Sequence, residues 1–122
     1  MILGPIEAVR LFTRNIRRAR AFYTKTLELT SSFADDRLAI FETGQAKLLL
    51  ELCEADDPET DVLVGRFAGI SFTVSDITAS VAALGARGVV FDGPPARQDW
   101  GGILAHFRDP DVNVLTLVQY PA

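Results

Sequence analysis

The sequence predicts an α+β fold: two βαβββ units forming a curved mixed sheet of half-barrels around a ligand cavity, with the helices on the outer face. Three observations predict it. The apolar rhythm of Ala8-Val-Arg-Leu-Phe-Thr-Arg-Asn-Ile16 returns in Gly69-Ile-Ser-Phe-Thr-Val-Ser-Asp-Ile77 at an offset of 61 positions, half of the 122-residue chain. In each copy an alternating strand runs into a side chain suited to cap a helix, Asn15 or Asp76. After each helix, three further segments have strand character and are separated by turn residues.

The first helix is expected from Ile16 to Leu27, with Ile16, Ala19, Phe22, Tyr23 and Leu27 on its apolar face. Arg14, Arg17, Arg18, Arg20 and Lys25 lie opposite and read as a solvated face. Strands are expected at Thr30 to Ala34, Leu38 to Thr43 and Lys47 to Cys53. The second helix runs from Ile77 to Arg87, where Gly88 supplies a left-handed stop, and strands follow at Val89 to Phe91, Gly102 to Arg108 and Val114 to Val118. Pro94-Pro95 and Asp109-Pro110-Asp111 mark the turns between them. The domain reading is a first unit over residues 1–53, an acidic linker over 54–66 and a second unit over 67–122. The linker carries Glu54, Asp56, Asp57, Glu59 and Asp61 around Pro58, a composition suited to an exposed connection.

Strand alternation decides what faces the cavity. Val9, Leu11, Ile70, Phe72 and Val74 point to the helices, leaving Ala8, Arg10 and Phe12 with Gly69, Ser71 and Thr73 on the other face. A mixed, small and polar inner face suits a ligand-accessible surface, and a solvated outer sheet face is the competing reading.

Composition narrows the function classes. One cysteine and one histidine exclude a disulfide framework and a zinc knuckle, and the net charge of −4 disfavours nonspecific nucleic-acid binding. No apolar run approaches a membrane span, and residues Met1 to Glu7 lack the pattern of an export signal, so the expectation is a cytoplasmic protein with no membrane partner.

Val9 to Tyr23, read as strand, Asn15 cap and helix ending in Phe22-Tyr23, together with Asp109-Pro110-Asp111 and Asn113, resembles the vicinal oxygen chelate (glyoxalase, bleomycin-resistance, dioxygenase) superfamily over nearly the whole chain. One departure is Val112, where the family usually has glycine; a β-branched residue resists positive φ, so a different turn is expected. The resemblance implies metal-ligand positions at Ala8, Glu51, Gly69 and Thr116, of which only Glu51 brings a strong ligand. It therefore implies the metal-free branch, with no cofactor, a small-molecule ligand in the cavity between units, and a homodimer; the polar inner face and the acidic net charge suit an aromatic or cationic guest.

The ligand-binding candidates are Arg10, Phe12, Glu51, Ser71, Thr73, Trp100, His106 and Thr116, with Phe33 and Phe41 as further possible wall residues. Glu51 reads either as a cavity carboxylate or as the ion-pair partner of Arg10. His106 reads either as a ligand contact or as a satisfied strand residue. Trp100 offers a flat wall or caps the edge of the core. Cys53 is either a thiol activated by a basic neighbour or an inert buried one. Should the chain be an enzyme, Glu51 and His106 are the catalytic pair for a metal-independent isomerase, lyase or epimerase working by proton transfer. A non-catalytic dimerisation module is the third reading.

Overall fold

The computed structural model describes residues 2–122 and divides the chain into two compact units that meet between Gly65 and Arg66. The first unit contains β1 (Ala8–Thr13), α1 (Ile16–Ala21), β2 (Thr30–Ala34), β3 (Leu38–Glu42), β4 (Lys47–Leu52) and a one-turn α2 (Thr60–Leu63). The second contains β5 (Phe67–Thr73), α3 (Ile77–Ala86), β6 (Ala96–Arg97), β7 (Ile103–Arg108) and β8 (Val114–Gln119). Each unit is a four-stranded mixed sheet of one topology, β1-β4-β3-β2 in the first and β5-β8-β7-β6 in the second, with a single parallel pairing in each. Among the described residues no helix is long and apolar enough to cross a membrane.

Both helices start where the capping residues stand. Asn15 Oδ1 accepts from the Arg18 amide at 3.0 Å, and Asp76 Oδ1 accepts from the Ala79 amide at 3.1 Å. The amide of Ile77 is also taken up, by Gln119 Oε1 at 2.7 Å, which ties α3 to the end of β8. The first helix departs from the expected span. Its α-helical part ends at Ala21, and Phe22–Thr26 forms a π-helical turn closed by the Leu27 amide on the Phe22 carbonyl at 3.0 Å. The extra residue in that turn lets Tyr23 enter the core fully, with its ring 5.3 Å from Phe22 and 5.8 Å from Phe41.

The helix-facing side of the first sheet is the core of that unit: Leu11, Ala39, Phe41, Leu48 and Leu50 are almost completely buried. Phe41 therefore belongs to the core and not to a ligand wall. Its neighbours in alternation, Leu38 and Ile40, take the opposite face with Leu49 and Glu51. The acidic segment after β4 is only partly an exposed connection. Its carboxylates lie outside, while Thr60 Oγ1 donates to the Glu54 carbonyl at 2.7 Å and Val64 packs with Phe12 and Cys53, the partly buried Leu63 beside them.

In the second unit Ala105, Phe107, Leu115 and Leu117 form the buried side. The strand expected at Val89 to Phe91 reduces to one bridge, Phe91 to Phe107, and the edge strand is the two-residue β6 paired with Ile103 and Leu104. The cause is local: Asp92-Gly93-Pro94-Pro95 interrupts the run, and proline has no amide to give to a ladder.

The final turn is the largest correction. Val112 does adopt positive φ, at 68°, so the hairpin keeps a left-handed position without the glycine that suits it. Because Val112 is exposed, its side chain recovers little by packing. Val112→Gly is expected to stabilise the protein by about 1 kcal/mol, relief of strain outweighing the added freedom of the unfolded chain. A rise in urea midpoint with unchanged slope checks it; a fall would show that this residue is not strained.

Candidate functional site

The side of each sheet turned away from its helix gathers most of the residues singled out from the sequence. In the first unit Arg10 and Phe12 lie two apart on β1, and Phe12 stands opposite Glu51 in the parallel pairing with β4. Arg10 grips Glu51 with two hydrogen bonds, Nε to Oε1 at 3.0 Å and Nη2 to Oε2 at 2.7 Å. This side-on geometry matches the planar fork of a guanidinium to both carboxylate oxygens. The hydrogen bonds and then the charge of Glu51 raise the pKa of Arg10. The guanidinium also lies 5.3 Å from the Phe12 ring centroid, within cation–π range. Arg10 is largely exposed while Glu51 is mostly covered, so Arg10 acts as the outer cover of the carboxylate.

Cys53 lies beside this group but is not activated. Its side chain is buried against Phe12 and Val64, and burial pushes its thiol pKa up, followed by the charge of Asp57. A thiol held protonated in that way is a poor nucleophile.

In the second unit Ser71 and Thr73 are exposed on β5, and Ser71 is the register partner of Thr116 on β8. Thr116 in turn stands directly opposite His106 on β7, and Thr116 Oγ1 and His106 Nδ1 are 2.8 Å apart. The Phe67 ring approaches the imidazole edge-on at 6.3 Å. At the far end of the same ladder the Trp100 indole lies over Gly102, where an added Cβ would come within 1.9 Å of the ring. Gly102 shares the alternation of Leu104 and His106, so the indole covers the same face as the histidine. The Tyr120 ring is 5.9 Å from Trp100, and Trp100, Tyr120 and Phe67 are 53%, 62% and 64% exposed.

Glu51 and His106, paired in the sequence reading, stand in different units, and each hydrogen-bonds within its own. Phe33 is half exposed on the edge strand β2. Phe67 and Tyr120 escaped the sequence reading. Tyr120 continues the alternation of Thr116 and Val118 and was legible on that ground. Phe67 was hidden by a register irregularity in β5 between Phe67 and Ser71, where Gly69 takes φ of 70°.

The positions at which metal-dependent relatives place ligands do not fit a divalent centre here. Ala8 and Gly69 have no side-chain donor, both Glu51 oxygens are on Arg10, and the Thr116 hydroxyl is on His106. A catalytic centre of that kind ordinarily takes about three protein ligands and an open position.

Comparison with known proteins agrees with this architecture. A structure from Sphaerobacter thermophilus DSM 20745, described as a member of the glyoxalase/bleomycin resistance protein/dioxygenase superfamily, superposes with a TM-score of 0.84 at 25% identity, covering 98% of this chain and 99% of that one. TnmS3, an antibiotic-binding protein from Streptomyces sp. CB03234, gives a TM-score of 0.77 at 29% identity over 100% of this chain and 99% of its own. The YraH protein of Bacillus subtilis strain 168 is 28% identical over 121 residues, covering 91% of this chain and 94% of its own length. The model of the Glyoxalase/Bleomycin resistance protein/Dioxygenase superfamily matches residues 5–117, and the chain belongs to that superfamily.

Proposed function

We propose that this chain is a metal-free small-molecule-binding protein that takes a flat aromatic ligand on the side of its second sheet turned away from α3. The observation that carries the reading is the set of three exposed aromatic rings on this sheet, Phe67 beside the hydrogen-bonded His106 and Thr116, and Trp100 with Tyr120 at the far end of the ladder. Large apolar rings left in water on one surface, with a few placed polar groups among them, are the usual composition of a ligand site. Rigid aromatic side chains also lose little conformational freedom when they bind a ring. The likeness to an antibiotic-binding protein supports the same reading. Arg10 already neutralises Glu51, which turns the choice between cationic and aromatic guests toward the aromatic: a cation would have to displace a two-point guanidinium contact. Ser71, Thr73 and His106 then contribute the polar contacts, with Thr116 behind His106. The reading extends to a homodimer in the cytoplasm, for which light scattering should return twice the chain mass of 13.3 kDa.

Titration with a panel of flat aromatic compounds tests the proposal, because Trp100 is the single tryptophan and reports its own surroundings. Binding should change its fluorescence and, at a ligand concentration one hundred times Kd, stabilise the fold by about 2.7 kcal/mol. His106→Ala should weaken that binding by about tenfold, the worth of one hydrogen bond. A panel that moves neither the fluorescence nor the melting temperature would remove the proposal.

A further inference from the structure

We infer that Thr116 is a positioning residue whose hydroxyl fixes His106 in the tautomer with its proton on Nε2, so that the site offers a hydrogen-bond donor to an acceptor oxygen on the ligand. The inference rests on the ligand-binding reading above for its ligand, but the tautomer belongs to the free protein and is tested without one.

Thr116 is only 3% exposed, and among the described residues the hydrogen-bond partner of its hydroxyl is His106 Nδ1 at 2.8 Å. A buried hydroxyl has one proton to place, and leaving it undonated forfeits a hydrogen bond in a setting that does not restore it from solvent. Neutral imidazole has one nitrogen with a lone pair in the ring plane and one that carries a proton. If Nδ1 carried the proton and donated to Oγ1, the hydroxyl proton would be left without an acceptor. If Thr116 donates to Nδ1, the hydroxyl and the ring nitrogen satisfy each other and Nε2–H is the group presented beyond the sheet. The two residues are direct register partners on β7 and β8, so the ladder itself holds the pair in place.

The rest of the face says what that donor meets. Next along the ladder comes the aliphatic rung of Leu104 and Val118, and beyond it Trp100 with Tyr120. From His106 to Gly102 under the indole is four residues of strand, about 13 Å at ~3.3 Å per residue. A donor at one end and two exposed rings at the other select a flat ring system that carries a carbonyl or a similar acceptor. An ammonium group is the wrong sign of partner for Nε2–H.

His106 is the only histidine, so a long-range proton–nitrogen correlation on labelled protein shows one imidazole. At a pH where the ring is neutral, the wild-type protein and Thr116→Ser should show the Nε2–H tautomer alone, and Thr116→Val should show both tautomers. An Nδ1–H tautomer in the wild type, or a Thr116→Val spectrum matching it, would overturn the assignment. The wild-type spectrum decides even if the valine variant folds poorly. With chromone and naphthalene as probes, flat two-ring molecules with and without a carbonyl, Trp100 fluorescence should report about tenfold tighter binding of chromone. That advantage should shrink to under about threefold in Thr116→Val. Equal binding of the two by the wild type would overturn the donor role. Binding of neither, with the Nε2–H tautomer in place, would uphold the positioning of His106 and overturn the ligand reading instead.

Discussion

Asp109→Ala is expected to destabilise the protein by about 3 kcal/mol or more, because it strips a buried turn of its acceptor. One carboxylate oxygen accepts from the amides of Asp111 and Asn113, both at 2.9 Å, and the other from Asn113 Nδ2 at 3.0 Å. Asp109, Asp111 and Asn113 are all nearly inaccessible to water, so the released donors have no ready replacement. The same carboxylate holds Val112 in its strained conformation, since it ties down the residues on either side. Loss of the turn should loosen the β7–β8 register that pairs His106 with Thr116, so ligand affinity should fall together with stability. Urea unfolding of the alanine variant measures the first effect. A cost below about 1 kcal/mol would mean that solvent satisfies the turn unaided.

Phe41→Ala should cost about 3–5 kcal/mol, whereas Phe33→Ala should stay within about 0.5 kcal/mol of the wild type. Both phenylalanines read from the sequence as possible walls of a ligand surface. Phe41 is completely buried against Tyr23 on the helix side, while Phe33 is half exposed on an edge strand. Removing Phe41 opens a void in a core that the π-helical turn has shaped around Tyr23, and the surrounding strands close it only in part. Equal, small losses in both variants would show that Phe41 lies outside the core.

What could be read from the sequence follows how local each determinant is. The helix starts depend on one side chain and the amides three residues on, so Asn15 and Asp76 declared them. The order of elements along the chain followed from a repeat, and the two units also share one sheet order. The face of β3 was not legible in the same way. Leu38, Ala39, Ile40 and Phe41 are apolar in both alternating sets, so only the pairing of Leu38 with Glu51 decides which set meets the helix. The π-helical turn is a tertiary effect: nothing in Phe22-Tyr-Thr-Lys-Thr26 marks it, and the burial of Tyr23 accounts for it. Val112 shows the opposite failure, in which a sound local preference is overridden by the hydrogen bonds of Asp109.

The candidate site divides along the same line. Alternation assigned Arg10 and Phe12, together with Ser71 and Thr73, to the face away from the helices without any structure. The Arg10–Glu51 grip was one of two readings open for that carboxylate. The match of Thr116 to His106 was not legible, because register between β7 and β8 is set by the length of a turn whose geometry the sequence reading misjudged. On the proposed reading that match gives Thr116 the task of orienting a ligand contact.

Membership of the superfamily leaves the chemistry open, since members share a fold and differ in their sites. The central claim is that this chain binds its ligand with its own side chains alone. Isothermal titration calorimetry of the tightest aromatic compound, before and after exhaustive chelation, tests it most directly. The account predicts the same Kd in both, with zinc, nickel or manganese added back to no effect. Binding lost on chelation and restored by one of those metals would contradict it.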